Sequence, residues 1–480
     1  MTRRSSTPYK LLLAGLVAVL LVGVSLLQGQ LNGQRAELGL TRITPLENAP
    51  PVLAFTTVAL GSFRGLIANA LWIRANELQL EGKYFEIVQL ADWITKLQPT
   101  FDQVWKYQAW NMAYNISVKF SDPADRWRWV RRGIELIRDE GLRYNPNKTL
   151  LYHELAWHFQ HKMGQNMDDA HLHYKQQWAL EMEAALGSSR TNLAELVSAT
   201  SPGLRARAEH LRTKYKLDPA LMKEVDDRYG PLEWRLPEAH AIYWAVAGLK
   251  LTSADRQNKN DLRTLRRVVY QCMQQSVLHG RLLSLQPLRL EADLAKVDAA
   301  NAAYEQMIAN EPDIPDSFRV AHRNFLLQVV YLLNVNGQRT DADRWWSALR
   351  EKYPQFVPAN LSAHDYTLQR LTGGELNSLG HDRVRTIISG LIANSYASLA
   401  VDDDTRAASL EFWARSVYSS YSTNIARGQQ RIALPPFPEM KEEVLQRFLA
   451  PESGVDPRVV DRLRTKLGRP APAANAPPSP

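Results

Sequence analysis

Residues 326–354 read LLQVVYLLNVNGQRTDADRWWSALREKYP, and the reading of this stretch decides the fold. Leu326, Val329, Val330 and Leu333 recur three and four residues apart, which puts an apolar stripe on one face of a helix. Gly337 interrupts the stripe where the chain has to turn. Ala342 and Trp346 restart it four residues apart, and Pro354 ends the second helix because proline has no amide hydrogen to continue it. The unit is a pair of helices in which small residues allow close approach and large ones fill the groove between neighbouring pairs.

The same layout recurs outward from this unit. Ala300 and Tyr304 precede Pro312 with the same spacing, and Ala408 with Phe412 gives a partial copy. Tyr152, Leu155, Ala156 and Phe159 form a first-helix pattern that returns at Trp244, Ala247, Gly248 and Leu251. Near the start, Gly82-Lys83-Tyr84 is a turn and Pro99 an end, with Ile87 and Ala91 at the positions that elsewhere carry alanine and an aromatic. Alternating β-branched runs are scarce, so the expected fold class is all-α. These residues resemble the tetratricopeptide repeat (TPR), whose signature is W-x2-L-G-x2-Y, then Ala, an aromatic four residues on, and Pro. The resemblance covers about half of the chain and implies a helix-hairpin repeat superhelix. Pro99 and Pro146 stand further apart than one period of roughly 34 residues. The excess falls in Ser117–Trp129, where Ser121-Asp122-Pro123 reads as a break between helices.

Ahead of the repeats, Leu11 to Leu27 is a nearly unbroken apolar run of 17 residues behind Arg3, Arg4 and Lys10. At 1.5 Å per residue it reaches the lower limit for a bilayer span, so a single transmembrane helix is expected to precede the superhelix. The basic flank predicts a cytoplasmic N-terminus and an extracytoplasmic body. A cleaved signal peptide would share the basic start and short apolar core, but no A-x-A-like site follows Ser25-Leu26-Leu27-Gln28-Gly29-Gln30. Val52–Leu60 is too short to cross and is followed by Gly61 and Arg64.

With a mean hydropathy of −0.33 and 45% hydrophobic residues, the remainder can bury a large core and is no multi-span transporter. A net charge of +8 spread through 480 residues argues against nucleic acid and suits anionic headgroups. Cys272 is the only cysteine, which excludes a disulfide framework. Composition divides the chain into 1–30 (stub and transmembrane helix), 31–62 (juxtamembrane linker, broken at Glu47-Asn48-Ala49-Pro50-Pro51) and 63–186 (N-terminal helical pairs). A spacer follows over 187–236, punctuated by Gly187-Ser188-Ser189, Ser201-Pro202-Gly203 and Tyr229-Gly230-Pro231. C-terminal helical pairs occupy 237–435, and 436–480 holds a terminal helix and a Pro/Ala-rich end expected to be disordered from Arg469.

In TPR-like stacks the first helices line a concave groove. Projecting the repeat phase places Trp72, Asn76, Lys106, Trp110, Tyr114, His153, Trp157 and His161 there, a set suited to an extended peptide or partner helix. Burial of the same aromatics as ordinary core is the alternative. Glu154, His158 and His161 fall at i, i+4 and i+7 and, with His171 and His173 beyond, offer a metal-site alternative and with it a metal-dependent enzyme. His153-Glu154-x3-His158 is, however, one residue longer than metalloprotease spacing. Arg235-Leu236-Pro237-Glu238-Ala239-His240 reads as a helix start, with Pro at the first position and Glu in the first turn, or as a carboxylate-binding knot. Walker, dinucleotide, G-x-S-x-G and CxxC signatures are absent, and no cofactor is implied. The expected function is a membrane-anchored scaffold that recruits a protein or peptide, itself membrane-associated, for envelope assembly, secretion or polysaccharide handling. A structural subunit permanently buried against such a partner fits the same sequence.

Overall fold

A computed structural model describes residues 7–37, 63–165, 167–187, 192–251, 259–286, 288–310, 316–372, 381–426, 433–450, 453 and 455–469. The Glu47–Pro51 break, Val52–Leu60, Ser188, Ser189, Pro312 and the end beyond 469 lie outside these residues. The fold is all-α and helical-repeat-like. Its first half comprises α1 (Thr7–Glu37), α2 (Phe63–Leu80), α3 (Tyr84–Leu97), α4 (Asp102–Trp110), α5 (Pro123–Glu135), α6 (Thr149–Trp157) and α7 (His171–Leu186). Residues 187–236 hold α8 (Leu193–Ser198), α9 (Pro202–His210) and α10 (Pro219–Tyr229). Then come α11 (Pro237–Leu251), α12 (Lys259–His279), a hairpin of β1 (Arg281–Leu285) and β2 (Leu288–Glu291), α13 (Val297–Asn310), α14 (Asp316–Val335), α15 (Arg339–Lys352) and α16 (Ala363–Thr372). The last helices are α17 (His381–Ala400), α18 (Asp404–Ala426), α19 (Phe437–Leu449) and α20 (Pro457–Lys466).

One local device builds three of the helix pairs. Leu80, Leu333 and Leu399 each lie near a helix end where the next residues wind left-handed: Gly82 (φ +73°), Gly337 (φ +83°) and Asp402 (φ +62°). At each turn two backbone bonds close the helix. Lys83 N–H donates to Leu78 O at 2.9 Å and Gly82 N–H to Gln79 O at 3.0 Å. Gln338 and Gly337 repeat this with Leu333 and Asn334 (2.9 and 3.1 Å), as do Asp403 and Asp402 with Ser398 and Leu399 (3.0 and 3.1 Å). These are Schellman caps, and they fold α3 back on α2, α15 on α14 and α18 on α17. The small residue of the 244–251 pattern also has a reason: a Cβ on Gly248 would stand 2.9 Å from the Tyr152 Cβ, so only glycine lets α11 lie this close to α6.

The larger apolar core runs without interruption from Ala68 to Ala363, through the 187–236 stretch, and is rich in Trp, Tyr and Leu. A second core is built from Val384 to Leu463. They meet at Asn334 on α14, whose carbonyl accepts from Trp413 Nε1 at 3.0 Å and Ser409 Oγ at 3.1 Å. The β-hairpin, which periodicity did not announce, pairs Leu282 with Leu290 and ties α7 to α18 through Gln176 Nε2 to Leu285 O (2.8 Å) and Arg406 to Glu291 (2.6 Å).

The N-terminal expectation is corrected. Among the described residues no helix is long and apolar enough to cross a membrane, which overturns the transmembrane helix and the cytoplasmic and extracytoplasmic placement derived from it. The apolar run stops at 17 residues, the bare minimum for a span, and the helix then continues into polar residues. The rest of α1 alternates Gln28, Gln30, Asn32 and Gln34 with Gly29, Leu31 and Gly33.

Candidate functional site

Regular α-helix gives way to π-helix four times among the described residues: Asn111–Ile116 after α4, Leu136–Gly141 after α5, His158–Gly164 after α6 and Leu211–Tyr215 after α9. Such turns are rare and concentrate at functional sites. Here they have a geometric effect. Side chains four residues apart overshoot one α turn by about 40°, so an i, i+4, i+8 ladder drifts around an ordinary helix. A π turn, bonded i to i+5, is wider than four residues and returns the third side chain toward the face of the first. Lys106, Trp110 and Tyr114 straddle the first such junction, and His153, Trp157 and His161 straddle the third.

The two ladders stand side by side, since α4 packs on α6 and their π turns touch. Along the first, Trp110 stacks on Tyr114 at 5.8 Å between centroids. Along the second, His153 lies 6.1 Å from Trp157, and Trp157 stacks on His161 at 4.5 Å with 10° between planes. Two polar rungs join them. Lys106 Nζ reaches Glu154 Oε1 at 2.7 Å, with His153 Nδ1 3.5 Å from the same oxygen. At the other end Tyr114 Oη and His161 Nδ1 are 3.1 Å apart. Lys106, Trp110, His153 and Trp157 then face α12 across a cavity of about 290 Å³ whose far wall is Thr264, Arg267, Val268 and Gln271. Gln160 lies in the same lining and donates through Nε2 to Gln271 Oε1 at 2.7 Å, while its buried Oε1 meets no donor.

Charge is arranged with equal economy. Glu154 is buried, and burial alone would raise its pKa, but hydrogen bonds from His153 and Lys106 outweigh that and hold it ionised below the ordinary glutamate range. Burial pulls the His158 and His161 imidazoles down, and the Lys162 charge pushes the same way, which leaves both rings neutral near pH 7. Burial raises the Tyr114 phenol, helped by the Glu154 charge, so Tyr114 stays protonated and can donate to His161. Behind the ladder, Lys162 is clasped by Asp168 at 2.5 Å, and Asp168 is held in turn by Arg126 at 3.2 Å. Flat neutral rings, fixed amides and rim cations together offer surfaces for stacking and hydrogen bonding.

Of the eight groove residues read from sequence, Lys106, Trp110, His153 and Trp157 line this cavity, and Tyr114 and His161 extend its aromatic wall. Trp72 sits elsewhere, packed edge-on against Tyr107 (5.2 Å) and Phe101 (6.3 Å), and Asn76 is exposed on α2. Glu154, His158 and His161 point to separate partners: Glu154 to Lys106, His158 Nδ1 to the Glu154 carbonyl at 2.7 Å, His161 to Tyr114. Among the described residues no group of three His, Cys, Asp or Glu could hold a metal ion. The 235–240 segment is packed: Arg235 is bidentate on Glu233 at 2.8 Å through each arm, and His240 Nε2 bonds the Trp234 carbonyl at 2.8 Å. Sequence reasoning missed Gln160, Thr264, Arg267 and Gln271. Thr264, Arg267, Val268 and Gln271 do fall at i, i+3, i+4 and i+7, but nothing local pairs that face with residues 106–161.

No protein-family model and no curated protein matches the chain.

Proposed function

We propose that this protein is a helical scaffold, built from hairpins of TPR-like grammar, that grips an extended segment of a partner protein in the groove between the two ladders and α12. The observation that carries the reading is that Lys106, Trp110, His153 and Trp157, at i and i+4 on two neighbouring helices, line one cavity opposite a third helix with a polar stripe, while Tyr114 and His161 continue the two aromatic stacks. Half-buried Trp110 and Trp157 supply rigid contact area at small entropic cost, and Gln160, Thr264 and Gln271 supply partners for a peptide backbone. The function is capture, without turnover.

The test is selection from a peptide library displayed on phage, using the full chain as bait. Enriched peptides should lose at least about tenfold in affinity for a Trp110→Ala, Trp157→Ala variant, as expected for aromatic hot spots. They should keep their affinity for Trp93→Ala, an exposed tryptophan of α3 outside the cavity lining. Equal binding to wild type and the double variant would count against the groove.

A further inference from the structure

We infer that the cavity among Lys106, Trp110, Trp157, Gln160 and Arg267 selects an acidic side chain carried on an extended peptide. This rests on the groove reading above and names what the groove recognises. Two cations, Lys106 and Arg267, line the cavity together with one carboxylate, Glu154. That carboxylate is only 4% exposed and already engaged by Lys106 at 2.7 Å, with His153 beside it. Arg267, by contrast, is exposed at the mouth with its guanidinium 5.0 Å over the Phe318 ring, and it pairs with no carboxylate among the described residues. The cavity therefore holds one positive charge in excess. A cationic guest would be repelled by it, and an anionic one completes it.

The second observation concerns the floor. Gln160 is 1% exposed; one end of its amide is paired with Gln271, and the oxygen at the other end has no donor. A buried acceptor left unmade is unfavourable, so a guest that brings an N–H to this point recovers what the free protein lacks. A free carboxylate ion has no hydrogen to give. A peptide presents its backbone N–H within a few bonds of an acidic side chain, and so answers both the amide oxygen and the guanidinium while the two indoles cover its stem.

The experiment is calorimetric titration of the full chain with the capped peptide acetyl-Gly-Glu-Gly-Glu-amide, its Gln-for-Glu analogue, its Lys-for-Glu analogue and a version of the first with N-methylated glutamate amides. The expected result is that the Glu peptide binds about tenfold more tightly than the Gln peptide, that the Lys peptide is weaker still, and that N-methylation costs a similar factor. Arg267→Gln, at an exposed position, should reduce the Glu peptide to the level of the Gln peptide. Arg383→Gln, at an exposed position on α17, should change nothing. Equal affinity for Glu and Gln peptides, both weakened by Trp157→Ala, would overturn the acidic preference and leave the groove standing. Glu binding lost in Arg267→Gln but untouched by Trp157→Ala would keep the preference and remove the groove. Absence of binding by all four peptides would overturn both.

Discussion

At the scale of single residues, the sequence identified chemical types well and their engagements poorly. His153, Trp157 and His161 were legible as one helical face, because four-residue spacing is a local property. That Glu154 faces Lys106, or that Gln160 is left with an unmet oxygen, depends on helices about 50 and 110 residues away, and no local signal reports it. The histidines also make the clearest prediction. Burial, with the Arg138 charge adding to it, drives His240 down to about 4, and burial likewise takes His322 to about 4, against an unfolded value near 6.5. Between those limits the unfolded chain binds protons that the folded chain refuses. Stability therefore falls as pH drops from about 6.5 toward 4, by at most about 1.4 kcal/mol per pH unit for each ring. Glu154 acts in the other window: its lowered pKa contributes stability that disappears only as pH falls below the ordinary glutamate range. Urea midpoints measured from pH 7 to 4 should decline, and His240→Asn, which keeps a donor for the Trp234 carbonyl, should flatten the slope. An unchanged slope in that variant would refute the assignment.

Among elements, turns marked by glycine were readable and turns closed by aspartate were not. Gly82 and Gly337 announce the left-handed residue that a Schellman cap requires, whereas Asp402 adopts the same conformation with a side chain that disfavours it. Asp402→Gly should accordingly stabilise the protein by about 0.5–1 kcal/mol, less whatever its exposed contact with Lys466 contributes. Gly337→Ala should destabilise by more than about 1 kcal/mol, since φ is +83° there and the new Cβ would stand 3.4 Å from both Ser409 and Thr405. Thermal melts of the two variants should move in opposite directions; parallel shifts would show that the caps do not govern these hairpins. The π turns lay beyond sequence reading altogether, because their apolar spacing is close to that of α-helix and their cause is tertiary. Gly133 illustrates this: a Cβ there would be 2.9 Å from the Ala109 carbonyl, so α5 crosses α4 at contact distance next to the first π turn.

For the whole molecule, the repeat grammar of 326–354 was enough to establish an all-α chain, while the apolar run at 11–27 overreached by converting hydrophobicity into a membrane span. The arrangement of cores was hidden as well: the texture of 187–236 announces breaks between short helices, and only the packing shows the apolar interior continuing through Leu196, Leu211, Met222 and Trp234. In a stacked architecture neighbouring units couple through their interfaces. Removing the Trp413 to Asn334 bond with Trp413→Phe should therefore uncouple the 384–463 core and split a single denaturation transition into two, readable by comparing tryptophan fluorescence with helical circular dichroism. Recognition by the groove is the central claim, and fluorine NMR of the chain labelled with 5-fluorotryptophan tests it most directly, using a peptide selected on the wild-type protein. Resonances of Trp110 and Trp157 should shift on titration while those of Trp93, on the surface of α3, and Trp413, wholly buried, stay fixed. Shifts confined to Trp93 or absent from both ladder tryptophans would contradict the account.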